Sequence, residues 1–153
     1  AKSVIPQKNI HLVLAGKGEL RTELENIAKK FELADKVHFV GFQENPYKWM
    51  HNAKFYVLSS LYEGLPMVLV EALACETPLV AFDCPYGPNE IVVNNNNGIL
   101  VENQNQELFV AALNKMILEE EFYNKCKQNA KASANKFHVD CIANQWFKLM
   151  NLE

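Results

Sequence analysis

Residues 59–78 read Ser-Ser-Leu-Tyr-Glu-Gly-Leu-Pro-Met-Val-Leu-Val-Glu-Ala-Leu-Ala-Cys-Glu-Thr-Pro. The apolar run Phe55-Tyr56-Val57-Leu58 just before them has the length and composition of a buried strand, and the Gly/Pro turn after it ends that strand. Pro66 has no amide hydrogen to lose and a φ already suited to a first helical turn, so a helix is expected to start there. Strand, turn and helix in this order are the unit of an α/β sheet. Glu63 lies in the turn, and Glu71 interrupts Met67-Val68-Leu69-Val70 and Ala72-Leu73-Ala74 about a turn and a half into the helix. An unpaired charge buried at that second position is expensive.

The turn has the makings of an anion site. Free amides near Leu65, Met67 and Val68 point back into it, together with the positive end of the helix dipole, and Gly64 lets a ligand approach the backbone closely. A carboxylate beside a phosphate repels it unless the carboxylate faces something else. Sugar hydroxyls fit, since ionised acids accept strong hydrogen bonds from them. A phosphate flanked by a sugar on each side is a nucleotide sugar. Either glutamate alone reads equally well as a loop acid or as a helix acid that reaches solvent.

Outward from this stretch, short apolar runs at 10–15, 36–40, 54–58, 78–82 and 98–101 read as strands buried on both faces. Helices are expected at 19–31, 46–52, 66–75, 89–93, 106–120, 121–136 and 138–152. The first carries Leu20, Leu24, Ile27, Ala28 and Phe31 at helical spacing. Alternation of this kind predicts an α/β fold: a Rossmann-like parallel sheet flanked by helices, with right-handed crossovers, ligands beyond the strand C-termini and a helical C-terminus. Gly16, Gly18, Gly41, Glu63 and Gly87 all fall at that edge. The Gly16-Lys17-Gly18 turn taken alone is an ordinary tight connection. Trp146, Phe147, Leu149 and Met150 are expected to pack on the same domain, the alternative being a terminal helix that leaves some apolar surface exposed.

The 59–78 string resembles the Glu-x7-Glu signature of retaining nucleotide-sugar glycosyltransferases of family four. Ser60, Glu63, Gly64, Leu65, Pro66, Glu71, Ala72, Ala74 and Pro78 are in register with it. Glu76 stands where the family usually has Gly. The segments Leu12 to Glu19, Val37 to Pro46, Pro85 to Val92 and Asn97 to Val101 follow in the family's order, so the likeness spans nearly the whole chain. It implies the C-terminal, donor-binding half of a two-domain GT-B fold that lacks its first strand, and a terminal helix that crosses back to the partner domain.

By that resemblance Glu71 would hold the ribose hydroxyls and Glu63 those of the donor hexose, with Glu63 the catalytic residue. Amides from Leu65 to Leu69 other than Pro66, hence those of Leu65, Met67, Val68 and Leu69, would meet the diphosphate, beside Gly64. Gly41, Phe42 and Gln43 would border the base, and Gly16 and Gly18 would belong to a phosphate-side loop. The donor is expected to be a UDP-sugar, with GDP and ADP sugars as alternatives, and the reaction a metal-independent retaining transfer to a glycan, polysaccharide or lipid-linked acceptor. No cofactor or metal is implied. The Arg and Lys that the family usually places on the diphosphate have no match, and neither Lys2 nor Lys8 supplies one. A non-catalytic nucleotide-sugar-binding or assembly module of the same fold remains the alternative. A flavodoxin-like binding domain is weaker, because it leaves Glu-x7-Glu unexplained.

Composition agrees with one compact domain. The chain has 153 residues, 49% hydrophobic and 22% charged, and can bury a core. A net charge of -3 and a pI of about 5.8, with scattered lysines, argue against a nucleic-acid partner. No apolar run reaches membrane-spanning length. The four cysteines, Cys75, Cys84, Cys126 and Cys141, lack metal-ligand spacing and read as reduced, mostly packed thiols; the four histidines form no ligand set either. For His38 an outward or structural role is expected. These features predict a cytoplasmic protein, peripheral at the inner membrane face only through parts outside the chain. The start at Ala1 leads us to expect a piece of a longer, two-domain protein. Its acceptor domain lies elsewhere, and the piece alone is expected to bind nucleotide weakly without turnover.

Overall fold

The computed structural model describes residues 10–151. Lys2 and Lys8, and the expected last helical residue Leu152, lie outside that range. The chain divides into two compact units, Ala1–Pro46 and Tyr47–Glu153. Every strand ladder among the described residues is parallel, as the alternation predicts.

In the first unit, β1 (Leu12–Ala15) pairs with β2 (Val37–Gly41) across the helix α1 (Arg21–Lys30). Parallel neighbours need such a crossover, because a tight hairpin turn joins only antiparallel strands. The register runs Leu12 to Val37 and Leu14 to Phe39, then shifts so that Ala15 meets Gly41. The two-sided burial expected for β1 is not realised, since Val13 and Leu14 are exposed. Ala28 is the only buried residue of α1, and Leu20, Leu24, Ile27 and Phe31 stay exposed despite their helical spacing. Periodicity identified the helix correctly but not what covers its apolar stripe. His38 does point outward, and its ring stacks on His11 with the nearest ring nitrogens 2.8 Å apart, one donating and the other accepting.

The second unit holds a three-stranded ladder in the order β3 (Tyr56–Leu58), β4 (Leu79–Asp83), β5 (Gly98–Glu102). Its helices are α2 (Tyr47–Asn52), α3 (Met67–Ala74), α4 (Pro88–Ile91), α5 (Gln106–Leu118), α6 (Glu120–Ala134) and α7 (Val139–Leu149), with a 3₁₀ turn at Asn135–Phe137 before α7. The central strand β4 is buried on both faces because alternate residues feed two cores. Leu79 and Ala81 join Leu58, Leu69, Leu73, Ile91 and Ala130 on one side. Val80 and Phe82 join Val101, Phe109, Ala112, Met116 and Cys126 on the other. Leu69, Leu73 and Leu79 are fully buried, which contributes about 1.5 to 3 kcal/mol each.

Three details of this unit bear on the site. Pro66, expected as the first helical residue, sits instead at the cap position with ψ 84°, and α3 begins at Met67. Its ψ leaves the backbone half-extended, so the chain turns one residue later than the proline rule alone implies. Glu76 has φ 64°, the left-handed conformation that explains why a glycine suits that place, and its carboxylate accepts a hydrogen bond from Lys131 at 2.9 Å. Helix α7 buries no residue; Trp146, Phe147 and Leu149 within it and Met150 just after it are all exposed, so the expectation that these four pack on this domain is overturned.

Candidate functional site

The site is assembled where β3 ends. After Leu58 the chain runs through Ser60, whose hydroxyl donates to Glu63 Oε1 at 2.6 Å, and the Glu63 amide donates to Pro85 O at 3.3 Å. The second contact ties the Glu63 turn to the loop that follows β4. Gly87, in that loop, is pressed against the same turn: a Cβ there would lie 2.5 Å from Gly64 O, 2.5 Å from Pro66 Cδ and 3.1 Å from Leu65 Cα. Its φ of 91° also lies where side chains are strained. A Cβ on Gly64, by contrast, would meet nothing within 4 Å. One glycine makes the turn fit, and the other leaves its outer side open.

The amides at the head of α3 divide unevenly. Leu69 N–H donates to Pro66 O at 2.9 Å, which removes it from the expected set of free donors. Pro66 has no amide hydrogen, and the Met67 and Val68 amides have no acceptor among the described residues. The helix dipole adds its positive end at the same place.

Glu63 and Glu71 are both half-buried. Oε2 of Glu63 and the whole Glu71 carboxylate have no hydrogen-bond or ion-pair partner among the described residues. Their charge is felt by nearby groups. Burial pushes the Tyr56 phenol above its ordinary range, and Glu71 and then Glu63 push it further. The Cys75 thiol is raised by burial and by Glu71, and the Cys84 thiol by burial, then Glu63, with Asp83 adding a smaller push. Tyr56 is therefore within electrostatic reach of both acids, from the first position of β3.

Sequence reasoning missed an apolar rim. Leu61, Tyr62, Leu65 and Met67 are exposed around Glu63, and Tyr86, beside Gly87, is 77% exposed with φ 66°. A tyrosine held in that conformation is unusual, and no rule of spacing flags it. In the first unit, the two glycines of the expected loops lie together: Gly16 N–H donates to Gly41 O at 2.8 Å at the C-terminal ends of β1 and β2. Their φ values are 134° and 70°. A Cβ on Gly18 would meet nothing within 4 Å. Phe42 is exposed, with Lys17 Nζ 5.8 Å from its ring centroid, and Gln43 Nε2 donates to Val40 O at 2.7 Å. All four cysteines are free thiols; Cys84 and Cys126 are buried, Cys75 is intermediate, and Cys141, against the expectation of packing, is exposed. Among the described residues no group of three or more His, Cys, Asp or Glu could hold a metal ion. No described helix is long and apolar enough to cross a membrane.

Residues 1–133 match the family described as Glycosyl transferases group 1. The chain belongs to that family. Among group 1 glycosyltransferases, it is 33% identical over 142 residues to the N-acetylgalactosamine-N,N'-diacetylbacillosaminyl-diphospho-undecaprenol 4-alpha-N-acetylgalactosaminyltransferase of Campylobacter jejuni, covering 93% of this chain and 39% of that protein. It is also 33% identical to an amylovoran biosynthesis glycosyltransferase of Erwinia amylovora, covering 94% of this chain and 42% of that one. The chain thus spans about two fifths of the length of these curated relatives. A Staphylococcus aureus TarM mutant, solved in complex with Fondaparinux, alpha-GlcNAc-glycerol and UDP, superposes with a TM-score of 0.89 at 25% identity over 99% of this chain and 31% of that one. This group 1 member therefore has the α/β architecture of the C-terminal domain of GT-B glycosyltransferases, with parallel sheets flanked by helices and a helical C-terminus.

Proposed function

We propose that this chain is the donor-binding part of a glycosyltransferase that moves a hexose or N-acetylhexosamine from a UDP-sugar to a glycan, polysaccharide or lipid-linked acceptor. The observation that carries this reading is the pair of half-buried carboxylates, Glu63 in the turn before α3 and Glu71 within α3, whose free oxygens have no cation or donor among the described residues, together with the Met67 and Val68 amides, which have no acceptor among them. Half-buried acids beside a helix start with unused amides are placed to be completed by a ligand that offers donors and acceptors together. A diphosphate between two polyols satisfies all of them: hydroxyls donate to the acids, and the amides donate to the phosphate.

In this reading Glu71 accepts from the ribose, Glu63 from the hexose, and the amides of Leu65, Met67 and Val68 with Gly64 receive the diphosphate. Gly41, Phe42 and Gln43 serve the base, and Gly16 and Gly18 the loop beside it. The positive helix end and amides fixed in advance stabilise the departing diphosphate, and preorganised donors of this kind usually contribute most to the rate of a transfer that builds up negative charge. Transfer with retention of configuration, without a metal or cofactor, follows from the family resemblance. An acceptor domain in the same protein and a cytoplasmic location, peripheral at the inner membrane face in the longer protein, belong to the same proposal. Relatives named for transfer to a diphospho-undecaprenol-linked sugar and for amylovoran biosynthesis support the acceptor class.

The test is transfer by the full-length polypeptide that contains this chain. Glu63→Ala and Glu71→Ala are each expected to lower it at least tenfold, about 1.4 kcal/mol in the barrier. Wild-type rates in both variants would overturn the assignment. A full-length protein that binds UDP-sugar but transfers nothing would mark the non-catalytic binding module instead.

A further inference from the structure

Among the described residues, Ser60 is the one whose side chain donates a hydrogen bond to either acid of the site, and the donor-site reading assigns it no role. Its hydroxyl is half-buried and lies 2.6 Å from Glu63 Oε1, a distance typical of a charge-assisted O–H···O contact. The pair is separated by three residues, in a turn with no regular hydrogen-bond ladder of its own. Glutamate has three side-chain torsions, and on an exposed turn several rotamers compete. The Ser60 bond selects one of them. The Glu63 amide, tied to Pro85 O, fixes the backbone end, and Gly87 packed under Gly64 to Pro66 fixes the turn. Glu63 is thus held at both ends, with Oε1 occupied and Oε2 left for a ligand.

We infer that Ser60 is a positioning residue for sugar recognition: its hydroxyl engages one oxygen of Glu63 so that the other is presented, in a single orientation, to a hydroxyl of the donor hexose. This rests on the donor-site reading above. A second consequence separates Ser60 from a merely structural residue. The Ser60 side chain hydrogen-bonds to Glu63 and, among the described residues, to nothing that the reading assigns to the nucleotide, because ribose falls to Glu71 and diphosphate to the α3 amides. Its loss therefore acts on the sugar half of the donor and spares the nucleotide half. Removing Ser60 also leaves Oε1 without its donor, so the carboxylate turns toward solvent rather than toward the ligand.

The experiment is calorimetric titration of the full-length polypeptide, and of its Ser60→Ala, Ser60→Thr and Glu63→Ala variants, with UDP and with UDP-glucose, UDP-galactose and their N-acetyl forms. The tightest UDP-sugar of the wild type is carried through the series. Ser60→Ala should weaken that UDP-sugar about tenfold and leave UDP within twofold. Ser60→Thr, which keeps the hydroxyl, should restore affinity to within threefold, and a melting curve unchanged in Ser60→Ala excludes simple unfolding. Loss of UDP and UDP-sugar binding to the same extent in Ser60→Ala would make the residue structural and overturn the inference. Wild-type sugar affinity in Ser60→Ala, with Glu63→Ala impaired, would overturn it too while the donor-site reading stands. Wild-type affinity in Glu63→Ala, or no binding of any UDP compound by the wild type, would bring down the donor-site reading itself.

Discussion

Two glycines at the site should respond in opposite ways to the same methyl group. Gly87→Ala places a Cβ 2.5 Å from Gly64 O and Pro66 Cδ at a φ of 91°. The conformation alone costs about 1 to 2 kcal/mol for an L side chain, and relieving the overlap costs about 1 to 3 more. Backing off from 2.5 Å to the 3.4 Å of ordinary contact moves the turn by roughly 0.9 Å, and misplacements of about 1 Å can cost a hundredfold in rate. Gly64→Ala meets nothing within 4 Å and has no positive φ to lose, so it should be neutral or stabilise the fold by about 0.4 to 1 kcal/mol through the unfolded chain. Its methyl instead stands where a diphosphate would approach, and donor affinity should fall at least about tenfold, or 1.4 kcal/mol. Urea unfolding of the 153-residue chain, followed by Trp49 and Trp146 fluorescence, reads the first effect as a lower midpoint with an unchanged slope. UDP-sugar titration of the full-length polypeptide reads the second. A Gly87→Ala protein with the wild-type midpoint, or a Gly64→Ala protein that loses stability but not donor binding, would refute the reasoning.

Gly98→Ala should destabilise the second unit by about 3 kcal/mol or more, because its Cβ would sit 2.3 Å from Leu79 O in the adjacent strand; a urea midpoint equal to wild type would contradict that packing. Thiol alkylation near neutral pH should modify Cys141 first, Cys75 more slowly, and Cys84 and Cys126 only on unfolding, since burial raises the last two and hides them; mass mapping that finds Cys84 modified early in the native protein would refute this. Tyr56→Phe should flatten the alkaline loss of stability. The folded-state phenol is raised above the ordinary 10.0, so its contribution is complete below that pH and is lost as pH rises through the folded value; identical stability curves for the two proteins between about pH 9 and 11 would exclude it.

Most of the architecture could be read from periodicity because the central strand of the second unit obeys it fully. Leu79 to Phe82 is apolar throughout and is buried on both faces, as a central parallel strand must be. Boundaries moved where capping geometry decides them. Pro66 has the φ of a first helical residue, but its ψ of 84° keeps it outside α3, and sequence holds no signal for ψ. The stripe of α1 and the apolar side of α7 mark a different gap: spacing tells that a face is apolar, not whether anything covers it. The glutamates were found through residue type and interval. Ser60 was matched only as a letter in the signature, since the hydrogen bond that gives it meaning depends on a side-chain torsion. The left-handed tyrosine at position 86 had no signal at all, whereas Glu76, standing in place of a glycine, pointed to its conformation in advance.

The described residues leave most of the hydrogen-bonding capacity of the two acids unused. Within α3, Leu69, Val70, Ala72 and Leu73 are buried, whereas Glu71 stays half-buried. It draws no hydrogen bond or cation from the described residues, and Tyr56 and Cys75, raised first by burial, are raised further by its charge. Glu63 is only half relieved, by Ser60. A stabilising role would put a cation or a cap beside each acid, as Lys131 stands beside Glu76 on the surface. Sequences depart from local consistency chiefly where a site requires it. Here the two acids, one in the turn and one in α3, and the unused amides at the start of that helix share a single physical remedy. A ligand rich in hydroxyls with a phosphate at its centre would engage all of them at once, and the proposed donor site stands on that ground.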